Sequence, residues 1–316
     1  MRSPFAAESL SDPGGLVVLT SPDGSSLDPS VVECLSSLPC LVVAVDRSAG
    51  DAPALADVAP EEGVATVDDI VAVAERNPIA ATTLALCLRQ ASSSLGLALV
   101  AESAAYSVLQ AGSEFRTWRS SRPGRSPRPE PGPAVKVIRH GDRLELVLNR
   151  PQVRNALSRS VRDGLLEGLA LAQADASLTE VVLRGEGPSF CSGGDLDEFG
   201  TFTDPAAAHM VRLATSIGRS IAALGPRLVA RVHGACAGSG VELPAFADRV
   251  SARTDFTAAL PEIGLGLIPG AGGTASITRR VGRHRMALLA LGGRSIDAAT
   301  ALRWGLVDEV TDEGAR

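Results

Sequence analysis

Leu228-Val-Ala-Arg-Val-His-Gly-Ala-Cys-Ala-Gly-Ser-Gly-Val-Glu-Leu243 opens as a short apolar run, turns through three glycines and enters a second apolar run. The pattern predicts a buried strand over Leu228–Val232, a Gly-rich turn, and a helix through about Phe246. Glycines in such a turn permit positive φ and let a ligand approach the backbone closely. N–H groups at the start of the following helix then point at negative charge. A second stretch, Phe190-Cys-Ser-Gly-Gly-Asp-Leu196, follows the strand Val181–Arg184 in the same way, about 45 residues earlier. Two N–H groups that converge on one oxygen form an oxyanion hole, usually a large contribution in acyl chemistry. Either loop alone is weak, because Gly-rich turns serve many folds. Together in an alternating strand–helix context they are more specific.

Outward from these loops, Val135–Arg139 and Leu144–Leu148 alternate apolar and polar residues around His140-Gly-Asp142, which predicts a β-hairpin. Ser158 is a good N-cap for a helix with Val161, Leu165, Leu169 and Ala172 on one face. Asp204-Pro205 starts another helix, read as running to about Leu224. Strands alternating with helices imply an α/β fold with βαβ units and right-handed crossovers. Upstream, Leu16–Thr20 and Leu41–Val45 read as buried strands, and Asp68–Gln90 and Leu95–Trp118 as helices, the first interrupted at Pro78. Between the halves lies Arg119-Ser-Ser-Arg-Pro-Gly-Arg-Ser-Pro-Arg-Pro-Glu-Pro-Gly-Pro133, whose prolines exclude helix or sheet interior. Its arginines continue a series, Arg116, Arg119, Arg122, Arg125 and Arg128, read either as a solvated linker or as a basic arm touching a ligand phosphate.

Two carboxylates draw attention. Glu242 stands in Gly-Val-Glu-Leu-Pro-Ala-Phe-Ala and Glu262 in Ala-Leu-Pro-Glu-Ile-Gly-Leu-Gly-Leu, each isolated among apolar residues. Burying such a group without a role or a partner is costly. Glu242 could instead compensate charge at a helix N-terminus, and Glu262 could be a solvated loop acid. In an apolar pocket both would have raised pKa values, so that a neutral acid is available near pH 7.

The chain has 316 residues, ample for a buried core, with 45% hydrophobic, 21% charged and only 3% aromatic residues. A net charge of −6 gives no general attraction to nucleic acid or to anionic membrane, and few aromatics are available for base stacking. No apolar run approaches a membrane span, and the N-terminus lacks a signal pattern, so a soluble cytoplasmic protein is expected. The five cysteines, Cys34, Cys40, Cys87, Cys191 and Cys236, lack metal-ligand spacing and read as reduced thiols, packed rather than nucleophilic. The four histidines show no ligand spacing either, so no metal is expected.

The set Asn149-Arg-Pro-Gln-Val-Arg-Asn-Ala-Leu-Ser158, Phe190 to Leu196, Gly234 to Leu243, Pro261-Glu-Ile263 and Ile268-Pro-Gly-Ala-Gly-Gly273, continued by Ser295 to Val310, resembles the crotonase superfamily, and within it the enoyl-CoA hydratase/isomerase family. The likeness spans about 175 residues in order. It implies a ClpP-like ββα spiral core and an oxyanion hole from the N–H groups of Gly194 and Ser239. It also makes Glu242 and Glu262, twenty residues apart, the two hydratase glutamates. Family members often carry Gly where Ser239 stands; a backbone donor survives that change. Gly270 matches a backbone that helps place the attacking water, Arg154 and Ala156 match positions near the CoA adenosine and phosphates, and Asp195 and Leu196 belong to the same substrate-binding set. The reaction so implied is hydration of an enoyl-CoA to a 3-hydroxyacyl-CoA, with double-bond isomerisation or a non-catalytic acyl-CoA-binding partner subunit as alternatives. Coenzyme A enters only as part of the substrate, with no separate cofactor, and a homo-oligomer, trimer or hexamer, is implied.

The family continues past the position of Val310 into helices that close the pocket and build the trimer, whereas this sequence ends at Arg316. Residues 68–118, notably Ala74-Glu-Arg-Asn-Pro-Ile-Ala-Ala81 and Ala101-Glu-Ser-Ala-Ala-Tyr106, resemble those helices. Leu38 to Asp46 and Ala56-Asp-Val58 echo Leu224 to His233 and Ala247 to Val250, without the Gly-rich turn and its glutamate. The expected organisation is a shortened crotonase-like region over 1–118, a linker over 119–133 and a catalytic core over 134–316. The helices of the first would complete the core, in cis or from a neighbouring subunit. An independent N-terminal α/β domain is the alternative.

Overall fold

The structure, a computed structural model, describes residues 15–19, 38–45, 55–90, 94–122 and 132–312. The hairpin forms where the alternation places it: β3 (Val135–His140) and β4 (Arg143–Leu148) pair antiparallel, with Val135 opposite Leu148. Parallel to β4 run β5 (Glu180–Gly185), β6 (Leu228–Val232), β8 (Arg249–Arg253) and β11 (Glu309–Thr311), giving a six-stranded sheet of order β11-β8-β6-β5-β4-β3. A smaller sheet holds β7 (Ala235–Ala237), β9 (Thr257–Ala259) and β10 (Ile296–Asp297) in the order β10-β9-β7. Consecutive strands β6 and β7 therefore lie in different sheets, as do β8 and β9, and a helical turn follows each pair. This is the ββα spiral. The helix after Ser158 spans Arg159–Ala174, the Ser158 hydroxyl accepts from Val161 N–H, and Val161, Leu165, Leu169 and Ala172 are all buried.

Two sequence readings need correction here. The helix begun at Asp204-Pro205 does not run unbroken to Leu224. It stops at Ala214, and Ser216 caps a second helix over Ile217–Ala222 by accepting from Arg219 N–H. The helix expected through Phe246 is one α-turn, Ser239–Glu242, followed by a 3-10 turn over Pro244–Phe246. Pro244 has no N–H to continue the ladder.

In the N-terminal half, β1 (Gly15–Leu19) and β2 (Cys40–Ala44) pair parallel. Strand period divides β2 between two clusters: Leu41 and Val43 join the main core, while Cys40, Val42 and Ala44 pack with Ala56 and Ala59. Val43 also bridges Val58 in parallel. Pro78 separates two helices, Val67–Arg76 and Pro78–Arg89, bent by 113°, and the expected Leu95–Trp118 helix is likewise two, Leu95–Gln110 and Ser113–Ser120, bent by 59°. No single helix among the described residues is long and apolar enough to cross a membrane. These helices share one hydrophobic cluster with the six-stranded sheet, in which Ile70, Leu84, Leu99 and Phe115 meet the same core as Leu146, Leu183 and Ile263. Polar ties reinforce the junction. Asn77 Nδ2 donates to Ile263 O at 2.8 Å, and Trp304 Nε1 donates to Glu61 Oε1 at 2.7 Å. Arg119, read as the start of the linker, still lies in helix; Arg122 pairs with Asp197 at 3.6 Å; Arg125, Arg128 and Cys34 lie outside the described residues.

Candidate active site

The two Gly-rich loops are laid side by side by backbone pairing. Phe190 N–H donates to His233 O and Ala237 N–H to Cys191 O, so the second loop lies along the first. On its other side the first loop bridges Leu157: Leu157 N–H donates to Gly193 O and Asp195 N–H to Leu157 O. In a parallel bridge the intervening residue directs its own N–H away from the partner strand. The Gly194 N–H therefore faces away from Leu157, and it finds no backbone acceptor among the described residues; the Ser239 N–H finds none either. Gly238, at φ 49°, makes the turn into Ser239, and a Cβ there would stand 2.3 Å from Glu262 Oε1. Glycine is therefore required at 238 both for backbone conformation and for room.

The glutamates are buried, at 2% exposure for Glu242 and 8% for Glu262, which removes the solvated-loop reading of the latter. Glu242 does not compensate its own helix. Its Oε2 accepts from Ala271 N–H at 2.8 Å and from Gly273 N–H at 2.9 Å, in the turn that leads into the Gly273–Val281 helix. Glu262 stands in a 3-10 turn with Oε2 buried and without a hydrogen-bond partner. A third carboxylate enters from the N-terminal half. Glu102, the only charged residue of the Leu95–Gln110 helix, is 2% exposed. It accepts from Gly272 N–H at 2.7 Å, Thr274 N–H at 2.8 Å and Thr274 Oγ1 at 2.7 Å.

A cavity of about 240 Å³ gathers Gly194, Asp195, Ser239, Glu242, Glu262 and Gly270. A second, of about 210 Å³, continues from it past Leu157, Arg159, Arg162 and Arg212. Of the residues expected at the site, Arg154, Ala156 and Leu196 do not line either space. Arg154 is exposed on the neighbouring loop at φ 52°, where its carbonyl accepts from Ser192 N–H. The cavity also contains residues not singled out from the sequence. Tyr106 presses its ring on Gly270, where an added Cβ would lie 2.5 Å from Cδ2. Arg212 sits 4.8 Å above that ring and donates to Ser103 and Ser107. Phe199 covers Gly194 and is met edge-on by Trp118.

The enoyl-CoA hydratase/isomerase family matches residues 144–315. The chain belongs to that family, within the crotonase superfamily. It is 36% identical over 167 residues to the 2,3-dehydroadipyl-CoA hydratase of Escherichia coli K12, covering 53% of this chain and 65% of that protein. It is 34% identical over 174 residues to the enoyl-CoA isomerase/hydratase fer4 of Mycosarcoma maydis, covering 52% and 64%. The chain thus spans slightly less than two thirds of the length of these curated relatives. Among solved structures, the enoyl-CoA hydratase of Thermoplasma volcanium matches with a TM-score of 0.53 and 32% identity over 58% of this chain and 73% of that one. The fold is the crotonase fold.

Electrostatics in this crotonase site are set by three carboxyl groups around one turn. Burial pushes Glu242 well above the usual carboxylate range, the charges of Glu262 and Glu102 push further, and the Ala271 and Gly273 N–H groups pull back. Glu262 is pushed up to about 7 by burial, against its own backbone N–H. Glu102 also rises to about 7 by burial, opposed by Thr274, Gly272 and the charge of Arg212. Like charges so placed cannot all ionise together near neutrality. Glu102, with three donors, is the best satisfied as an anion, which leaves the proton with Glu242 and Glu262. The Cys191 thiol, pushed up to about 11 by burial, is inert at neutral pH and fits the packing role.

Proposed function

We propose that this crotonase hydrates an enoyl-CoA thioester to a 3-hydroxyacyl-CoA. The observation that carries the reading is the opening of two buried glutamates and two unengaged N–H groups onto one cavity. The thioester oxygen sits against the N–H groups of Gly194 and Ser239, where charge develops as the enolate forms. Water adds to C3 and gives a proton to one glutamate while the other delivers a proton to C2, so that the elements of one water end in the product. Glu242, fixed through Oε2 by two backbone donors, is suited to hold the water. Glu262, buried and with Oε2 unpartnered, is suited to carry the proton for C2.

A double-bond shift is the second reading, favoured by the isomerase/hydratase naming of the fer4 relative. It needs only one carboxylate to move a proton between C2 and C4. Incubating the full chain with conjugated enoyl-CoA thioesters of graded chain length separates the two. Hydration removes the enoyl-thioester ultraviolet band and adds one water to the product mass; a mass-neutral product overturns hydration in favour of isomerisation.

The region before the linker is, on the same reading, a shortened crotonase-like half whose helices complete the core of this chain. Two observations support it: the shared hydrophobic cluster, and the parallel bridge Val43–Val58, which resembles the parallel register of Ala230 with Val250.

A further inference from the structure

We infer that Glu102 is a positioning residue for the reaction: from the N-terminal half it holds the turn over residues 271–274 so that Glu242 keeps its two backbone donors and its catalytic orientation. Four successive N–H groups alternate between two carboxylates. Ala271 and Gly273 donate to Glu242, whereas Gly272 and Thr274 donate to Glu102, which also accepts from the Thr274 hydroxyl. Successive N–H groups in a turn share one backbone, so neither set can rotate without displacing the other. Without Glu102, three buried donors would lack an acceptor, and leaving such groups unpaired is unfavourable enough to reorganise the turn. The turn also borders Gly270, against which Tyr106, one helical turn beyond Glu102, packs its ring. One helix therefore fixes both the Gly270 backbone and the donors to Glu242.

The charge of Glu102 acts on the same pair. It faces Glu242 and Glu262 across the turn, Arg212 on the Pro205–Ala214 helix, Tyr106 on its own helix, Cys87 on the Pro78–Arg89 helix, and Arg279, which lines the outer cavity it shares. Among the described residues, Arg212 is the cation whose charge lowers it, and the Arg212 guanidinium donates to Ser103 and Ser107. An anion held by three donors favours the protonated form of its carboxyl neighbours.

The inference rests on the hydration reading for its kinetic arm, and a second arm does not. Glu102→Gln keeps shape, loses the charge and presents an amide donor to existing donors. In the full chain, kcat for the enoyl-CoA turned over by the parent protein should fall ~10- to 100-fold, the range expected when a reacting group is displaced by a fraction of an ångström to an ångström, with KM changing by less than ~3-fold. The apparent pKa of the basic limb of the kcat profile should move down by about one unit as the neighbouring charge is lost. A merely structural role would lower the melting temperature and leave that limb in place. Independently of turnover, amide exchange at residues 271–274 should accelerate at least ~10-fold more than at the Arg159–Ala174 helix. If Glu102→Gln does not fold, Thr274→Val, which removes one of the three donors, carries the test, with a smaller loss of kcat and accelerated exchange in the same turn. A folded variant with unchanged exchange at 271–274 and an unmoved pH limb overturns the inference. Inactivity of the parent protein on every enoyl-CoA tested, with accelerated exchange in Glu102→Gln, would overturn the hydration reading and keep the positioning role.

Discussion

β2 with Val58 and β6 with Val250 are built alike and end differently. In each, a buried apolar strand lies parallel to the next segment, and in each that strand feeds the main core. Between Val232 and Val250 the chain inserts three glycines and Glu242; between Ala44 and Val58 it has one glycine and no glutamate. The segment between Val232 and Val250 contributes Ser239 and Glu242 to a cavity, whereas the segment ending at Val58 carries a buried ion pair. Asp57, 1% exposed, accepts from Val42 N–H and takes a two-pronged guanidinium from Arg89 at 2.8 and 2.7 Å. The contrast teaches that this strand framework is indifferent to chemistry. What sets the 232–250 segment apart is a turn in which glycine leaves N–H groups unspent and room for a carboxylate.

The contrast can be broken most forcefully at Asp57. Asp57→Asn removes the buried charge that Arg89 grips with two bonds, while the guanidinium keeps its bonds to Leu38 O and Cys40 O, and should cost about 2–4 kcal/mol of stability in denaturant titration. Turnover per folded molecule should not change, and a loss of kcat without loss of stability would show that the N-terminal half acts in the chemistry directly. On the other side, Glu242→Gln and Glu262→Gln should each lower kcat by roughly 10² or more, while stability holds or rises because a raised carboxylate is replaced by a neutral group. Unchanged turnover in both would support a binding subunit instead.

Acidity sharpens the comparison further. Glu102, Glu242 and Glu262 all have folded pKa values above their ordinary 4.5, so these three groups bind more protons in the folded chain than in the unfolded one. Their contribution to stability is fully present below about pH 4.5 and is lost as pH rises, through about 7 for Glu102 and Glu262, the opposite of the Asp175 type, held near 2. Urea midpoints measured from pH 5 to pH 8 should fall, and Glu262→Gln should flatten the slope. The smallest effect is expected at Glu114, whose carboxylate accepts from Ile79 and Ala80 N–H at the start of the Pro78 helix. Glu114→Ala should cost about 1 kcal/mol, as loss of a helix cap does, with kcat unaffected.

Much of this was legible because it is local. Ser158 caps, Pro78 breaks, β6 has the bounds its apolar run predicts, and lone glutamates in apolar runs are buried. β7 was not legible, since three residues have no period and become a strand only by pairing with β9. The break at Thr215-Ser216 was missed because apolar spacing continues across it. Glu102 was legible in principle. It is as isolated in Leu-Val-Ala-Glu-Ser-Ala-Ala as Glu242 is in its run, but its partners lie 170 and 172 residues away, and nothing local names them. Arg154 and Ala156 entered through resemblance alone, and neither lines the cavity.

The span between Glu102 and the turn it grips also orders events in time. The helix bearing Glu102 is synthesised first, and its acceptor turn follows about 170 residues later. Until then its carboxylate lacks the three donors of residues 272 and 274. The contact is among the longest loops the chain closes, and long-range contacts form slowly. Closure of the candidate site therefore waits on the meeting of two segments about 170 residues apart. A chain released before residue 274 carries the Leu95–Gln110 helix without the N–H groups that Glu102 takes and without the turn that orients Glu242.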